Sequence, residues 1–167
     1  LPFAFSGLGL SYTDAFFESM SGLTTTGATI ITGLDNAPPG ILLWRALLQW
    51  FGGIGIIVMA ISVLPMLNVG GMQLFRLESS DTSEKILPRT AQIAGSITRL
   101  YFLITGSCLL AYWLAGMSFF DAVAHAMTTI ATGGFSTRDA SLAAFDTPLI
   151  EIVAIFFMLA SSLPFVA

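Results

Sequence analysis

The sequence predicts an all-α polytopic membrane protein built from repeated units of span, re-entrant pore helix, filter strand and span. Three observations lead to this fold class. The mean hydropathy of the 167-residue chain is +0.85 and only 10% of its residues are charged, against roughly 25% in soluble globular domains. Long stretches carry no charge at all, and a short segment ending in a glycine-rich run occurs twice.

Two uncharged stretches, 46–75 and 100–120, are long enough to cross a bilayer, since about 18 to 20 apolar residues suffice. A third apolar stretch, 152–167, is still uncharged where the chain ends, and the chain begins at Leu1. We therefore expect a fragment of a longer protein. No basic segment followed by a short apolar run and a cleavage site is visible, so no signal peptide is predicted.

The positive residues predict which side of the membrane each loop faces. Four of the six Lys and Arg residues fall within 76–99, and short loops rich in Lys and Arg tend to stay in the cytoplasm. We expect 76–99 to be cytoplasmic and the pore mouth to lie outside, where most acidic side chains would concentrate cations. The net charge of −4 gives no basic patch for nucleic acid.

An internal repeat links the two halves of the chain. Shifting the sequence by 107 residues aligns 9–29 with 116–136 without a gap and gives seven identities in 21 positions. Internal repeats of this kind are a common way of building transporters and channels.

Each copy of the repeat contains a pore helix of about a dozen residues, predicted at 14–25 and at 121–132. A helix of that length reaches only about half of a ~30 Å hydrocarbon core, so it enters the membrane without crossing it. Asp14 and Asp121 are expected to cap the two N-termini, because Asp is a preferred N-cap residue. Ion coordination is the alternative role for these carboxylates.

A run rich in hydroxyl groups and glycine follows each pore helix; residues 24–29 form the first filter loop and residues 131–136 the second. Non-helical backbone at membrane depth persists only where protein, water or ions satisfy it. Glycine allows positive φ, which lets a bent chain aim carbonyl oxygens at a cation in place of water. The predicted ion-binding residues are Thr24, Thr25, Thr26, Gly27, Ala131, Thr132, Gly133 and Gly134.

Three sequence runs resemble one family. DAFFESMSGLTTTGAT at 14–29 resembles the first pore loop of the TrkH/TrkG/KtrB superfamily of potassium transporters. WRALLQW at 44–50 with GGIG at 52–55 is similar to the helix after that loop, and ATGGFST at 131–137 is similar to the second pore loop. The resemblance spans nearly the whole chain and is closest to the TrkH/TrkG branch. It implies four such repeats around one pathway, with repeats one and two in this chain.

The resemblance implies potassium uptake across the bacterial cytoplasmic (inner) membrane by a multi-pass protein. Potassium is then the transported substrate, with no cofactor in this chain. The implied partners are the lipid bilayer, a second copy of the chain in a homodimer, and a cytosolic nucleotide-binding regulatory subunit of the TrkA or KtrA type. The family's gating loop in repeat three and a positive residue in repeat four have no counterpart here, so this chain alone is not expected to form a working pathway.

The resemblance also matches Gly27 and Gly134 to the filter glycines of the family. One matched glycine per repeat, where true potassium channels keep two, implies a less strict selection against sodium. Potassium is expected at Thr25, Thr26, Gly27, Thr132, Gly133 and Gly134.

The chain is therefore divided into three segments. Residues 1–69 are the end of repeat one, 70–95 are a cytoplasmic connector, and 96–167 are repeat two. The predicted spans are about 41–67, about 97–118 and a truncated one at about 148–167.

Other residues are given structural roles. The glycines of 52–55 lie in a span and are expected to let helices pack closely. Arg45, near the outer end of that span, is expected to snorkel to the headgroups, with pairing to an acidic residue as the alternative. His125 occupies the place of Glu18 in the repeat and is expected to pack, because a proton relay would need a second titrating partner.

Potassium transport has alternatives that the sequence leaves open. A sodium or mixed cation pathway could use the same architecture, and a non-conducting membrane scaffold could contain the same spans. An enzyme is not predicted, because no Ser/His/Asp set or paired carboxylates stand out across the spans. The polar connector at 70–95 is interpreted as a solvated loop, or by family analogy as a docking surface for a cytosolic regulator.

Overall fold

The computed structural model describes the backbone of residues 2–63 and 83–162, and the side chains of 2–56, 59 and 95–162. All regular secondary structure in these residues is helical, as predicted. The α-helices are α1 (Tyr12–Leu23), α2 (Pro39–Val63), α3 (Ser83–Leu114), α4 (Phe119–Ile130) and α5 (Pro148–Ser162). Short 3₁₀ turns lie at Pro2–Phe5, Leu34–Asn36 and Ser141–Phe145.

The pore helices α1 and α4 begin two residues before their predicted starts, because serine and not aspartate is the N-cap. The side-chain oxygens of Ser11 and Ser118 each accept the backbone N–H three residues further on. Asp14 is the third residue of α1, where its carboxylate accepts the N–H of Ser11 at 3.2 Å and completes a capping box. The prediction that Asp14 and Asp121 are N-caps is therefore wrong, since Asp121 occupies the same third position in α4.

Both pore helices also end two residues before their predicted ends, at Leu23 and Ile130. Positive φ at Thr25 and Thr132 stops the right-handed helix there. Each helix has 12 residues, which corresponds to about 18 Å.

The long helices are α2 and α3. α2 starts at Pro39, whose fixed φ suits the first helical position, and its 25 residues extend about 37 Å, more than a ~30 Å hydrocarbon core. Among the described residues, one segment, Gly95–Leu114, passes as a membrane span by length and hydropathy. α3 ends at Leu114, four residues before the predicted end, and 64–67 of the other predicted span lie outside the described residues.

The connector predicted at 70–95 is helical in its last part. Residues 70–82 lie outside the described residues, and α3 begins at Ser83. The run at 84–87 consists mostly of good helix formers, which favours extension of the span in the N-terminal direction. The span predicted at 148–167 is represented by α5, and 163–167 lie outside the described residues.

The three helices α2, α3 and α5 pack around α4, which contacts each of them. α1 packs against α2 and the first 3₁₀ turn. One apolar cluster lies between α2, α3, α4 and α5 and includes Trp50, Tyr112 and Ile150. A second cluster under α1 contains Phe3 and Leu42. α2 therefore contributes to both clusters and connects the two repeats.

Candidate functional site

The two filter loops leave their pore helices through the same set of hydrogen bonds. In the first loop, three backbone N–H groups bond to α1 carbonyls at 2.8 to 3.0 Å: Thr24 to Met20, Thr25 to Gly22 and Thr26 to Ser21. In the second loop, the three equivalent bonds measure 2.9 to 3.1 Å: Ala131 to Met127, Thr132 to Thr129 and Gly133 to Thr128. Each equivalent pair is 107 residues apart. Both helices thus end in a Schellman motif.

These bonds fix the direction of the carbonyl groups that follow each helix. A trans peptide points its N–H and its C=O in opposite directions, so the carbonyl oxygens of Thr24 and Thr25 point away from α1. The carbonyl oxygens of Ala131 and Thr132 point away from α4 for the same reason. Helix C-termini carry partial negative charge, and these oxygens add to it, which makes the space beyond the two helix ends favourable for a cation.

Left-handed residues occur at matching positions of both loops. Gly27 and Gly134 have φ of 79° and 81°, as expected for filter glycines. Thr25 and Thr132 also have positive φ, 55° and 51°, although a β-branched residue in this region costs roughly 1–2 kcal/mol. Sequence reasoning predicted both threonines as ion-binding residues but did not predict their positive φ, because the left-handed position of a Schellman motif is usually glycine.

The two filter loops touch at Gly27. A Cβ atom added to Gly27 would overlap the carbonyl oxygen of Gly133, whereas one added to Gly134 would meet no heavy atom within 4 Å. Gly27 is therefore required twice, for its positive φ and for the close approach of the second loop.

Gln49 of α2 binds the second filter loop. Its side chain is fully buried; Nε2 donates to the carbonyl oxygen of Gly133 at 2.8 Å, and Oε1 accepts the N–H of Phe135 at 3.0 Å. A Cβ added to Gly133 would overlap this side chain. Sequence reasoning did not single out Gln49; its only visible signal is that it is an uncharged polar residue within an apolar span.

Adjacent glycines of α2 accommodate the ends of both pore helices. A Cβ on Gly52 would overlap the carbonyl oxygen of Leu23, the last residue of α1. A Cβ on Gly53 would lie 2.7 Å from the hydroxyl of Tyr101 and 3.3 Å from Ala131, just after α4. The expected close packing therefore holds at these two glycines, while Gly55 has open space around it.

Arg45, one turn before Gln49, is buried and does not snorkel. It is 1% exposed, and its Nε donates to the Glu18 carboxylate at 2.8 Å. Nη2 donates to the hydroxyl of Thr29 at 3.0 Å, and Nη1 donates to the carbonyl of Ser136 at 2.8 Å. The predicted snorkelling is wrong because a fully buried carboxylate on α1 needs a cationic partner. Arg45 thereby joins the far ends of both filter loops.

His125 takes the place of Glu18 in the second repeat, without a charged partner. Its Nδ1 lies 2.8 Å from the backbone oxygen of Asp121, and its Nε2 lies 2.9 Å from Oγ of Ser136. A carbonyl only accepts, so Nδ1 carries the proton, and in the neutral imidazole Nε2 then accepts from the Ser136 hydroxyl. In the first repeat, the Thr29 hydroxyl likewise donates to Glu18 at 2.9 Å. Each pore helix therefore accepts a hydrogen bond from the end of its own filter loop.

The equivalent aspartates Asp14 and Asp121 have different surroundings. Asp121 is 3% exposed, and its carboxylate accepts hydrogen bonds from Thr137 at 2.6 Å, Ser118 at 2.8 Å and Arg138 at 3.0 Å. Asp14 lies nearer the surface, with the N–H of Ser11 as its bonded partner. Asp121 is thus bonded to the side chains of two residues just after the second filter loop, Thr137 and Arg138.

Asp139 connects the segment after the second loop to the turn after the first. Its carboxylate accepts the N–H groups of Gly33 at 2.9 Å and Leu34 at 3.0 Å, with that of Asp35 at 3.5 Å. These bonds, that of Leu34 first, hold the pKa of Asp139 below its ordinary value. The neighbouring Arg138 pairs with Asp35 at 3.6 Å.

The structure places the two predicted filter loops in contact at Gly27 and Gly133. The carbonyl of Gly133 is directed at α2, where it accepts the hydrogen bond from Gln49. The hydroxyls of Thr24 and Thr132 are bonded to the carbonyls of Met20 and Ala131, both at 2.8 Å.

The described part of the chain contains no group of three or more His, Cys, Asp or Glu side chains able to hold a metal ion. A cavity of about 240 Å³ lies against the second filter loop and is lined in part by Thr128, Thr129 and Ser141.

Comparison with known proteins matches the whole chain to one family. The family model described as TrkH, a cation transport protein, matches residues 1–167. The Trk system potassium uptake protein TrkH of Escherichia coli K12 is 54% identical over 164 residues, which cover 96% of this chain and 34% of that protein. TrkG of the same organism is 41% identical over 162 residues, covering 96% and 33%.

A solved structure is also similar. The crystal structure of the potassium transporter TrkH from Vibrio parahaemolyticus matches with a TM-score of 0.78 and 49% identity, over 92% of this chain and 30% of that one. The chain thus spans about a third of the length of these relatives.

Proposed function

Because the chain belongs to the TrkH family of cation transport proteins, we propose that its full-length protein takes up potassium through a channel-like path lined by backbone carbonyls of the filter loops. The observation that carries this proposal is the pair of filter loops. They leave their helices through equivalent hydrogen bonds, adopt matching left-handed residues and touch at Gly27. No covalent chemistry is part of this function.

Neutral oxygens suit a weakly held ion. Carbonyl groups replace the hydration shell of a cation without holding it so strongly that it cannot leave. The carbonyls of Thr24, Thr25, Ala131 and Thr132 face the space beyond the helix ends, and Gly27 and Gly134 are proposed to contribute the next layer. The negative ends of α1 and α4 would favour any cation there, so selection for potassium over sodium must come from the carbonyl geometry.

The remaining features of the proposal follow the family. The full-length protein would be a multi-pass protein of the bacterial inner membrane, with 76–99 in the cytoplasm and the pore mouth outside. It would form a homodimer and bind a cytosolic nucleotide-binding subunit of the TrkA or KtrA type. A sodium or mixed cation pathway is the second candidate, because each filter loop has one matched glycine.

Potassium-limited growth and rubidium uptake test this function in a bacterium that lacks its own potassium uptake systems. The full-length protein, its Gly27→Ser and its Gly134→Ser variants are compared at equal membrane abundance. Both substitutions put a side chain at positive φ, so we expect uptake to fall or sodium to compete. Gly40→Ser is the matched control, because Gly40 has open space and no positive φ.

The outcomes separate the candidates. Sodium competition in the parent itself would favour the mixed pathway. Parental uptake by both filter variants would mean that these loops do not form the filter, and a parent that supports no uptake at all would favour the scaffold.

A further inference from the structure

Gln49 belongs to the first repeat in sequence but contacts the second filter loop in space. It is separated from Gly133 and Phe135 by 84 and 86 residues. The equivalent position in repeat two, 107 residues later, is Phe156, which has no hydrogen-bonding group and is 63% exposed. The contact of Gln49 with the second filter loop therefore has no counterpart elsewhere in the repeat.

The two bonds of Gln49 determine the orientation of two consecutive peptide units. The bond from Nε2 directs the carbonyl of Gly133 toward α2. The bond to Oε1 directs the N–H of Phe135 toward α2, and a planar trans peptide then turns the carbonyl of Gly134 to the opposite side. One side chain therefore directs the carbonyl of Gly133 toward α2 and the carbonyl of Gly134 away from it.

Glycine makes such a fixed orientation necessary. Gly133 and Gly134 have no side chains to restrict φ and ψ, and glycine adopts left- and right-handed conformations with similar ease. A flipped peptide at 133–134 would exchange which oxygen faces the ion. The carbonyl of Gly133 also lies against the Cα of Gly27, so its orientation affects the contact between the two loops.

We propose that Gln49 is a positioning residue that sets the ion preference of the pathway by holding the carbonyl of Gly134 toward the ion and that of Gly133 away from it. This inference rests on the proposed function, since it assigns a role in ion selection. Gln49 itself does not touch the ion.

The test compares ion preference in the full-length protein. Two concentrations are measured, that of potassium and that of sodium needed to halve rubidium uptake, and their ratio is the ion preference. Gln49→Met keeps the length of the side chain and removes both bonds. We expect the preference for potassium to fall roughly tenfold, the factor that one net hydrogen bond of ordinary strength is worth. Gln49→Glu keeps an acceptor for the N–H of Phe135, so we expect it to retain more of the preference than Gln49→Met.

Thr105→Val is the matched control. Thr105 is buried on α3 and accepts a hydrogen bond from the indole of Trp50, next to Gln49, at 3.1 Å. The substitution removes a buried hydrogen bond of α2, the helix that carries Gln49, without touching a filter loop. We expect it to change the amount of protein and not the ion preference.

A merely structural role would lower uptake of all ions together and leave their ratio unchanged, and that result in Gln49→Met would overturn the proposal. If Gln49→Met does not accumulate in the membrane, Gln49→Glu is judged by the same ratio. If neither accumulates, Gln49 is a folding requirement and the proposal fails. Gly134→Ser is measured in parallel. If the ratio changes in Gly134→Ser but not in Gln49→Met, the positioning role alone is rejected. If the ratio changes in neither variant, the filter assignment itself is rejected.

Discussion

The first and second filter loops begin alike and end differently. Both leave their pore helices through the same Schellman bonds and both donate a hydroxyl from their last residue to the pore helix. In the first loop the acceptor is Glu18, a buried carboxylate paired with Arg45. In the second it is His125, held by a backbone carbonyl, and Gln49 of the other repeat supplies further bonds. The repeat thus preserves the backbone of the filter while the side chains around it diverge.

The difference shows where the two repeats lose their pseudo-symmetry. α2 carries Arg45, Gln49, Gly52 and Gly53 along one side, and these residues contact both loops or both pore helix ends. α5 follows the second loop as α2 follows the first, but it has Ile152 where α2 has Arg45. The contacts between repeats one and two are therefore built mainly by α2.

Removing Arg45 should have the largest effect, because it leaves the carboxylate of Glu18 buried without its partner. We expect Arg45→Met to lower the free energy of unfolding by about 3–5 kcal/mol and His125→Gln by only about 1 kcal/mol, the worth of one neutral hydrogen bond. Thermal unfolding of the full-length protein in detergent, together with its membrane abundance, measures both. The double variant Glu18→Gln/Arg45→Met should recover part of the loss. Equal losses in the two single variants would remove the proposed contrast between the loops.

The two filter glycines should differ next. Alanine at positive φ costs about 1–2 kcal/mol at either Gly27 or Gly134, but at Gly27 its Cβ would also overlap the carbonyl of Gly133. We expect Gly27→Ala to shift the unfolding midpoint clearly more than Gly134→Ala. Gly40→Ala, in open space at the start of α2, is the control and should be neutral or slightly stabilising. A larger shift in Gly134→Ala would show that the two loops do not meet as described.

The equivalent aspartates provide a smaller contrast. Asp121→Ala removes the acceptor of three side-chain hydrogen bonds and should cost about 2 kcal/mol, since bonds to charged groups are among the stronger ones. Asp14→Ala loses half of a capping box and should cost about 0.5–1 kcal/mol. The same unfolding measurement in detergent compares them. If Asp14→Ala is the more damaging variant, burial of Asp121 does not determine its contribution.

Sequence reasoning predicted the helical fold, the repeat and the approximate bounds of the pore helices, because these depend on local hydropathy and spacing. It assigned the caps to Asp14 and Asp121, since aspartate is a preferred N-cap residue. It overlooked Ser11 and Ser118, which stand three residues earlier and whose side chains accept the N–H groups of these aspartates. The error on Arg45 has a different cause. Its burial depends on Glu18, 27 residues away, and one charge near the end of a span usually reaches the headgroups.

Gln49 could not be assigned from the sequence, because its partners are 84 and 86 residues away and the repeat contains no second copy of it. The left-handed conformation of Thr25 and Thr132 was missed for a related reason. Residue preference predicts glycine at the left-handed end of a helix, whereas the surrounding hydrogen bonds here impose that conformation on threonine. Local patterns thus predicted the helices, whereas contacts between distant segments determine the conformation of the filter loops.

The smallest effect is expected at the link that Asp139 makes between the segments that follow the two filter loops. The backbone N–H of Leu34 and its neighbours lower the pKa of this exposed carboxylate in the folded protein. Its contribution is therefore complete above the ordinary aspartate pKa of about 4 and is lost as the pH falls through the lower folded value. We expect the unfolding midpoint of the parent to fall more steeply with acidification below about pH 5 than that of Asp139→Asn. Asp146→Asn, a charge-matched variant on the same segment, should keep the parental slope. If Asp146→Asn flattens the slope as much as Asp139→Asn does, the effect is due to net charge. It is then not due to the hydrogen bonds that join the segments after the two filter loops.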